Sequence, residues 1–245
     1  MKVYLFAMVI CALASSGAAQ QQPKLPPVMP RPRAEALPPS PVEKIDATTY
    51  RIGEMRLDTK RKVLTVPGTV NDVTILEFVA NTMGGFKAYE SAVTLNTNAV
   101  SFNAALLVLG LDPARSRPSG VQFDQQPPDG DPVELTIEWH DGRNTRRVGI
   151  EELLYDHRTG KTLAKGPWVY TGSTFWVSPS GVKQFQAEVD GVLIGLMHSP
   201  QSIIDNPRND AFRGFGYIVL NPQLGLTAGL PITLTVRVLD RKAER

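Results

Sequence analysis

The chain has 245 residues, 42% of them hydrophobic and 20% charged, with 20 Gly, 20 Pro and a formal net charge of +2 at pH 7. These values exclude a polytopic membrane protein, a collagen and a fully disordered chain. The near balance of 26 Lys and Arg against 24 Asp and Glu argues against a nucleic-acid partner, which asks for concentrated positive charge.

The chain opens like a leader. Lys2 gives a positive start, Val3 to Ala14 form an apolar run, and Ser15-Ser16-Gly17-Ala18-Ala19 place small residues where a signal peptidase reads. Cleavage after Ala19 is expected, leaving Gln20 as the new N-terminus, so residues 1–19 are read as a signal peptide. The expected destination is periplasmic or secreted. The apolar run is shorter than the roughly 20 residues of a spanning helix, so no membrane span is expected after cleavage. Cys11 lies in this leader and is the only cysteine. The mature chain therefore offers no thiol nucleophile, no Fe–S cluster and no thiolate zinc site.

Residues 20–45 hold 8 of the 20 prolines. Proline lacks an amide hydrogen and fixes φ, so this stretch reads as an extended, disordered tether. Its Lys24, Arg31, Arg33 and Lys44 outnumber Glu35 and Glu43, leaving the remainder, residues 46–245, close to neutral. That remainder is expected to form a single β-rich domain.

Strand signals dominate it. Tyr50 to Leu57 alternates, Lys62 to Val70 places apolar residues around a Pro67-Gly68 break, and Val73 to Val79 is β-branched and apolar. Ala92 to Leu95 reads as a hairpin partner returning across the Met83-Gly84-Gly85 turn. Val133, Leu135, Ile137 and Trp139 alternate on one face and end at His140-Asp141-Gly142-Arg143, with a polar strand near Thr145 to Val148 beyond. Trp168 to Trp176, Gln184 to Val189, Val192 to His198 and Ile232 to Leu239 complete the set. Asp190-Gly191 is the strongest hairpin signal. A helix is expected over 98–109, capped by Thr97 or Asn98, stopped by Gly110 and buried on more than one side. A shorter helix is expected near 150–155. The fold class is thus α+β, predominantly antiparallel β, with one buried helix.

The search for chemistry returns mostly exclusions. There is no GxSxG, HExxH, Walker or GxGxxG motif, and His140, His157 and His198 have no ligand spacing. His140 and His157 read as solvated turn residues, while His198 ends an apolar strand, where a binding or catalytic imidazole is well placed. Asp129, Asp131 and Glu134 lack the spacing of a calcium loop. Glu151 and Glu152 read as a solvated face.

Three stretches carry a resemblance. The first is Lys87-Ala88-Tyr89-Glu90-Ser91, followed by Asn103-Ala104-Ala105-Leu106-Leu107-Val108-Leu109-Gly110. The second is Ile150-Glu151-Glu152-Leu153-Leu154-Tyr155-Asp156, leading to Gly166-Pro167-Trp168-Val169-Tyr170-Thr171-Gly172-Ser173. The third is Asp190-Gly191 followed by His198-Ser199-Pro200-Gln201-Ser202-Ile203-Ile204. In this order they resemble the YdjY-like domain of exported bacterial proteins, over roughly Lys62 to Asp205 and the final strand. The resemblance implies an extracytoplasmic domain with no established reaction. Some relatives carry ferredoxin-type cysteine motifs, absent from the mature chain here. Many relatives have histidine where this chain has Tyr89 and Asn103.

The candidate polar cluster is therefore Tyr89, Glu90, Ser91, Asn103, Trp168, Ser173 and His198, with no catalytic, cofactor-binding or metal-ligating residue assigned and no cofactor expected. The leading expectation is a non-catalytic exported domain that binds or scaffolds at the cell envelope, with an envelope or extracellular partner. A hydrolase-like extracytoplasmic enzyme and a metal-binding envelope protein are the alternatives.

Overall fold

The computed structural model describes residues 40–209, 211 and 215–241, all within the compact unit Arg33–Arg245. The leader, the Ala19/Gln20 junction and the tether up to residue 39 lie outside the described residues.

In chain order the strands begin with β1 (Val42–Lys44), β2 (Thr49–Ile52), β3 (Met55–Asp58), β4 (Val63–Val70), β5 (Phe78–Thr82) and β6 (Ser91–Leu95). Helix α1 (Ala99–Val108) follows, then β7 (Asp131–His140), β8 (Thr145–Gly149), α2 (Ile150–Leu153), β9 (Leu154–Asp156), β10 (Lys161–Thr162) and β11 (Trp168–Tyr170). The last group is β12 (Phe175–Val177), β13 (Lys183–Phe185), α3 (Gln186–Asp190), β14 (Val192–Gly195), β15 (Ile204–Asp205), β16 (Ile218–Leu220) and β17 (Pro231–Val238). The protein is mostly β.

Alternating sequences build one wall. Leu64 pairs with Val236 and Val236 with Leu135; Val66, Leu234 and Ile137 form the next row. All six side chains are buried, while the residues between them face outward, as strict period-2 patterning requires. Burying each such side chain stabilises the fold by roughly 1.5–3 kcal/mol.

The sheet closes. β4 pairs with β17, β17 with β7, and the order runs on through β11, β15, β14, β5 and β6. β6 then returns to β4, completing an eight-stranded barrel. Most pairs are antiparallel; β14–β15 and β5–β6 are parallel. Closure depends on Pro67-Gly68. β4 runs through both residues without a break, pairing with β3 over Val63–Thr65 and with β6 over Gly68–Val70. Pro67, which has no N–H, sits at the change of partner, and its carbonyl accepts from the Asn96 N–H at 2.9 Å. A Cβ at position 68 would lie 2.3 Å from the Thr94 carbonyl oxygen, so only glycine lets the two strands meet.

Several expectations are overturned, three of them in the turns and helices around the barrel. Asp190-Gly191 is not a hairpin turn but the end of α3, with Gly191 left-handed at φ +70°. Both roles ask for glycine at positive φ, and the preceding Gln186–Asp190, expected as strand, winds into one helical turn. Ala92–Leu95 does not return antiparallel. The 3-10 turn Phe86–Glu90, kinked at Lys87, carries the chain back, so Phe78 pairs with Ser91 in a parallel ladder.

Helix α1, third, is buried on one side only. Ala99, Phe102, Ala105 and Leu106 face inward against α3 and β14, and Val100, Leu107 and Val108 are exposed. An apolar circumference overstated its burial because the barrel offers it a single wall.

Candidate functional site

Polar groups gather where β5, the 3-10 turn and β6 meet. Asn71 Nδ2 donates to the carbonyls of Ala88 and Ser91 at 3.2 and 2.8 Å, and the Thr94 hydroxyl reaches Asn71 Oδ1 at 2.8 Å. Ser91 Oγ donates to the Lys87 carbonyl at 2.8 Å. The Lys87 ammonium is ion-paired with Glu90 and lies 5.6 Å from the Phe78 ring centroid and 5.7 Å from that of the exposed Tyr89. Burial works to discharge Lys87, but Glu90 holds its pKa above the ordinary lysine value. Glu77 completes the group: burial first, and the Glu90 charge second, raise its carboxyl above the usual range, and Gln122 Nε2 donates to its Oε2 at 3.3 Å. Two carboxyls, Glu77 and Glu90, thus stand near one ammonium in a mostly buried setting.

The loop between β14 and β15 is a second polar zone. His198 is fully buried, with Nδ1 2.6 Å from the Asp124 carbonyl and Nε2 3.3 Å from the Arg208 carbonyl. Asp205, also fully buried, accepts from the Ser199 and Asn206 N–H groups at 3.0 and 2.9 Å. Burial nevertheless drives its carboxyl well above the ordinary range. A Cβ on Gly195 would meet Ser202 Oγ at 2.3 Å and Asp205 Oδ1 at 2.4 Å, so the loop folds over a bare backbone. The two zones touch through backbone: the Glu77 carbonyl accepts from the Leu196 and Met197 N–H groups at 3.1 and 3.0 Å.

Of the other candidate side chains, Trp168 and Ser173 border the second zone and Asn103 lies elsewhere. Trp168 Nε1 donates to Glu151 Oε1 at 2.8 Å, with the Arg208 guanidinium 5.3 Å from the indole centroid. Asn103 Oδ1 accepts from the Tyr170 hydroxyl at 2.8 Å. Ser173, at φ +61°, donates to the Gln201 carbonyl at 2.9 Å. Among the described residues no hydrogen bond or ion pair joins Glu90 to His198, and no three His, Cys, Asp or Glu groups gather at metal-binding spacing.

The surface has a different character. β12 and β13 form a two-stranded finger outside the barrel, pairing Phe175 with Phe185, Trp176 with Gln184 and Val177 with Lys183. Phe175, Trp176, Val177 and Val182 are 57%, 45%, 59% and 54% exposed. Among the described residues no helix is long and apolar enough to cross a membrane.

The sequence model of the YdjY domain matches residues 55–215. The chain belongs to the YdjY domain family. No curated protein and no solved structure matches it. The YdjY span holds all seven candidate polar residues and the finger, and it ends before β17, the barrel strand between β4 and β7.

Within the YdjY domain the seven residues thus fall into separate neighbourhoods. Tyr89, Glu90 and Ser91 share the first zone; His198 braces the second, with Ser173 bonded to its loop and Trp168 at its border; Asn103 stands apart. Glu151 is buried against Trp168 and not on a solvated face, because the short α2 turns it toward the indole. Glu77, Lys87, Gln122 and Asp205 escaped sequence reasoning. Glu77 left one signal, a lone carboxylate at the edge of an apolar run.

Proposed function

We propose that this YdjY-domain protein is an exported, non-catalytic envelope protein that works by binding. Export rests on Lys2, the apolar run and the small residues before Gln20. The binding reading rests chiefly on the finger, an exposed apolar surface outside the barrel sheet, where an ordinary soluble domain has little reason to place it. The histidine argues the same way: both ring nitrogens of His198 face backbone carbonyls, as suits a brace between loops.

A photo-crosslinking residue at position 176, activated in intact cells, tests this. Discrete adducts at 176 that vanish when the residue is moved to exposed Lys161 are expected; no adduct at 176 in correctly exported protein overturns it. N-terminal sequencing should start at or near Gln20, and cytosolic protein retaining Met1 would reject export.

A second reading, a hydrolase-like enzyme, draws on the raised Glu77 carboxyl beside Glu90 and Lys87. Turnover of ester, amide or glycoside substrates, abolished by Glu77→Gln in a folded protein, would establish it.

A further inference from the structure

We infer that the β12–β13 finger is a membrane-surface anchor that inserts into the headgroup region of an anionic bilayer; this rests on the binding reading above and names its partner. Four observations carry it. First, the ribbon exposes apolar side chains on both faces. Phe175 and Val177 lie on the side that also carries Lys183 and the half-buried Phe185, and Trp176 lies on the other with Gln184, as the pairing register dictates. A protein partner covers one face of a ribbon, whereas a lipid interface surrounds both.

Second, the tip satisfies several of its own polar groups. The Ser178 N–H donates to the Val182 carbonyl at 2.9 Å, the Gly181 N–H to the Ser178 carbonyl at 2.8 Å, and the Val182 N–H to Ser178 Oγ at 3.0 Å. Ser178 and Ser180 hydroxyls share a bond of 2.8 Å. Each donor that keeps its partner lowers the cost of leaving water.

Third, the charge suits a negative surface. From Thr171 to Ala187 there is no Asp or Glu, and the single charge is Lys183. Its ammonium sits 4.4 Å from the Phe175 ring centroid, which places the positive charge beside the apolar surface that would meet the headgroups. Fourth, the dimensions match. Three-residue strands extend the finger by about 10 Å, the depth to which interfacial elements enter a bilayer. A two-stranded ribbon is only marginally stable alone in water, so immersion would order it.

The protein carries its own reporter. Trp139 and Trp168 are 4% and 0% exposed, which leaves Trp176 as the indole that responds to lipid. Purified protein lacking the leader is mixed with phosphatidylcholine vesicles, with or without about a third phosphatidylglycerol. Co-sedimentation with the anionic vesicles, a blue shift of emission and quenching by brominated lipid are expected. The double variant Val177→Ser/Val182→Ser, which keeps the indole, should partition about tenfold more weakly, as for losing apolar burial. Lys183→Glu should weaken binding to anionic vesicles and leave the neutral ones unchanged. Near-UV circular dichroism confirms that each variant is folded. Folded protein that ignores both vesicle types overturns the inference. So does a concentration-dependent blue shift without lipid, which assigns the finger to a second copy of this chain. Position-176 crosslinks to a protein, with no vesicle binding, would overturn the lipid partner and leave the binding function standing.

Discussion

Glu188 of α3 caps α1 from outside that helix: its Oε2 accepts from the Ala99 N–H at 2.8 Å and from the Val100 N–H at 3.2 Å. Asn98 Oδ1 takes the Ser101 N–H at 2.7 Å, so the first three otherwise orphaned donors of α1 all have oxygen partners. Replacing Glu188 by Ala leaves two donors to water and removes a negative charge from a helix N-terminus. The expected loss is about 1–2 kcal/mol, with Glu188→Gln losing less because its amide oxygen still accepts. Urea denaturation of the two variants measures the difference.

Asp205 should remain protonated well above pH 3.8, since burial raises its carboxyl in the folded protein alone. The sign follows from linkage: the folded state keeps a proton that the unfolded chain has released. This stabilisation is full below the unfolded pKa and is lost as pH rises through the folded one. The carboxyl carbon resonance of Asp205 should stay unchanged while exposed carboxylates titrate. A midpoint in the ordinary aspartate range would contradict the assignment.

Asp131 has the opposite sign. Burial works to raise its carboxyl, but hydrogen bonds from Arg115 and the Asp112 N–H, with the charges of Arg115 and Arg241, lower it overall. Its stabilisation is present above the unfolded pKa of about 3.8 and is lost as pH falls through the folded value. Asp131→Asn should cost about 1 kcal/mol at pH 7 and flatten the acid limb of the stability profile. Thermal melts of both proteins between pH 2 and 7 compare the two limbs.

Gly68→Ala should open the barrel seam. The new methyl would stand 2.3 Å from the Thr94 carbonyl, and neither backbone can retreat without losing the β4–β6 ladder. We expect at least about 2 kcal/mol of destabilisation, in the upper range for overpacking. Hydrogen exchange should rise first in Val93–Leu95.

Much of the wall was legible in the sequence. The strands around Leu64, Leu135 and Leu234 are long, bury one face and alternate, so periodicity alone places them. The other half of the barrel is not legible that way. β5 and β14 are buried throughout, so their apolar runs carry no facial information. Local signals also served two masters, as Asp190-Gly191 shows. The candidate site was least legible, because Glu77, Glu90 and Gln122 meet only after the barrel has closed. The Asn98 cap and the Gly110 stop needed nothing but neighbours, and both hold.

The pairing of β4 with β17 joins Leu64 to Val236, residues far apart in the polypeptide. No partial product of translation can complete this ring: the ribosome must release Pro231–Val238 before the second wall strand has its neighbour. Pairing at such sequence separation slows the final step and leaves the growing chain open to chaperones until β17 emerges. A polypeptide that stays unlatched until its closing strand is made is one that can still be threaded through a narrow pore.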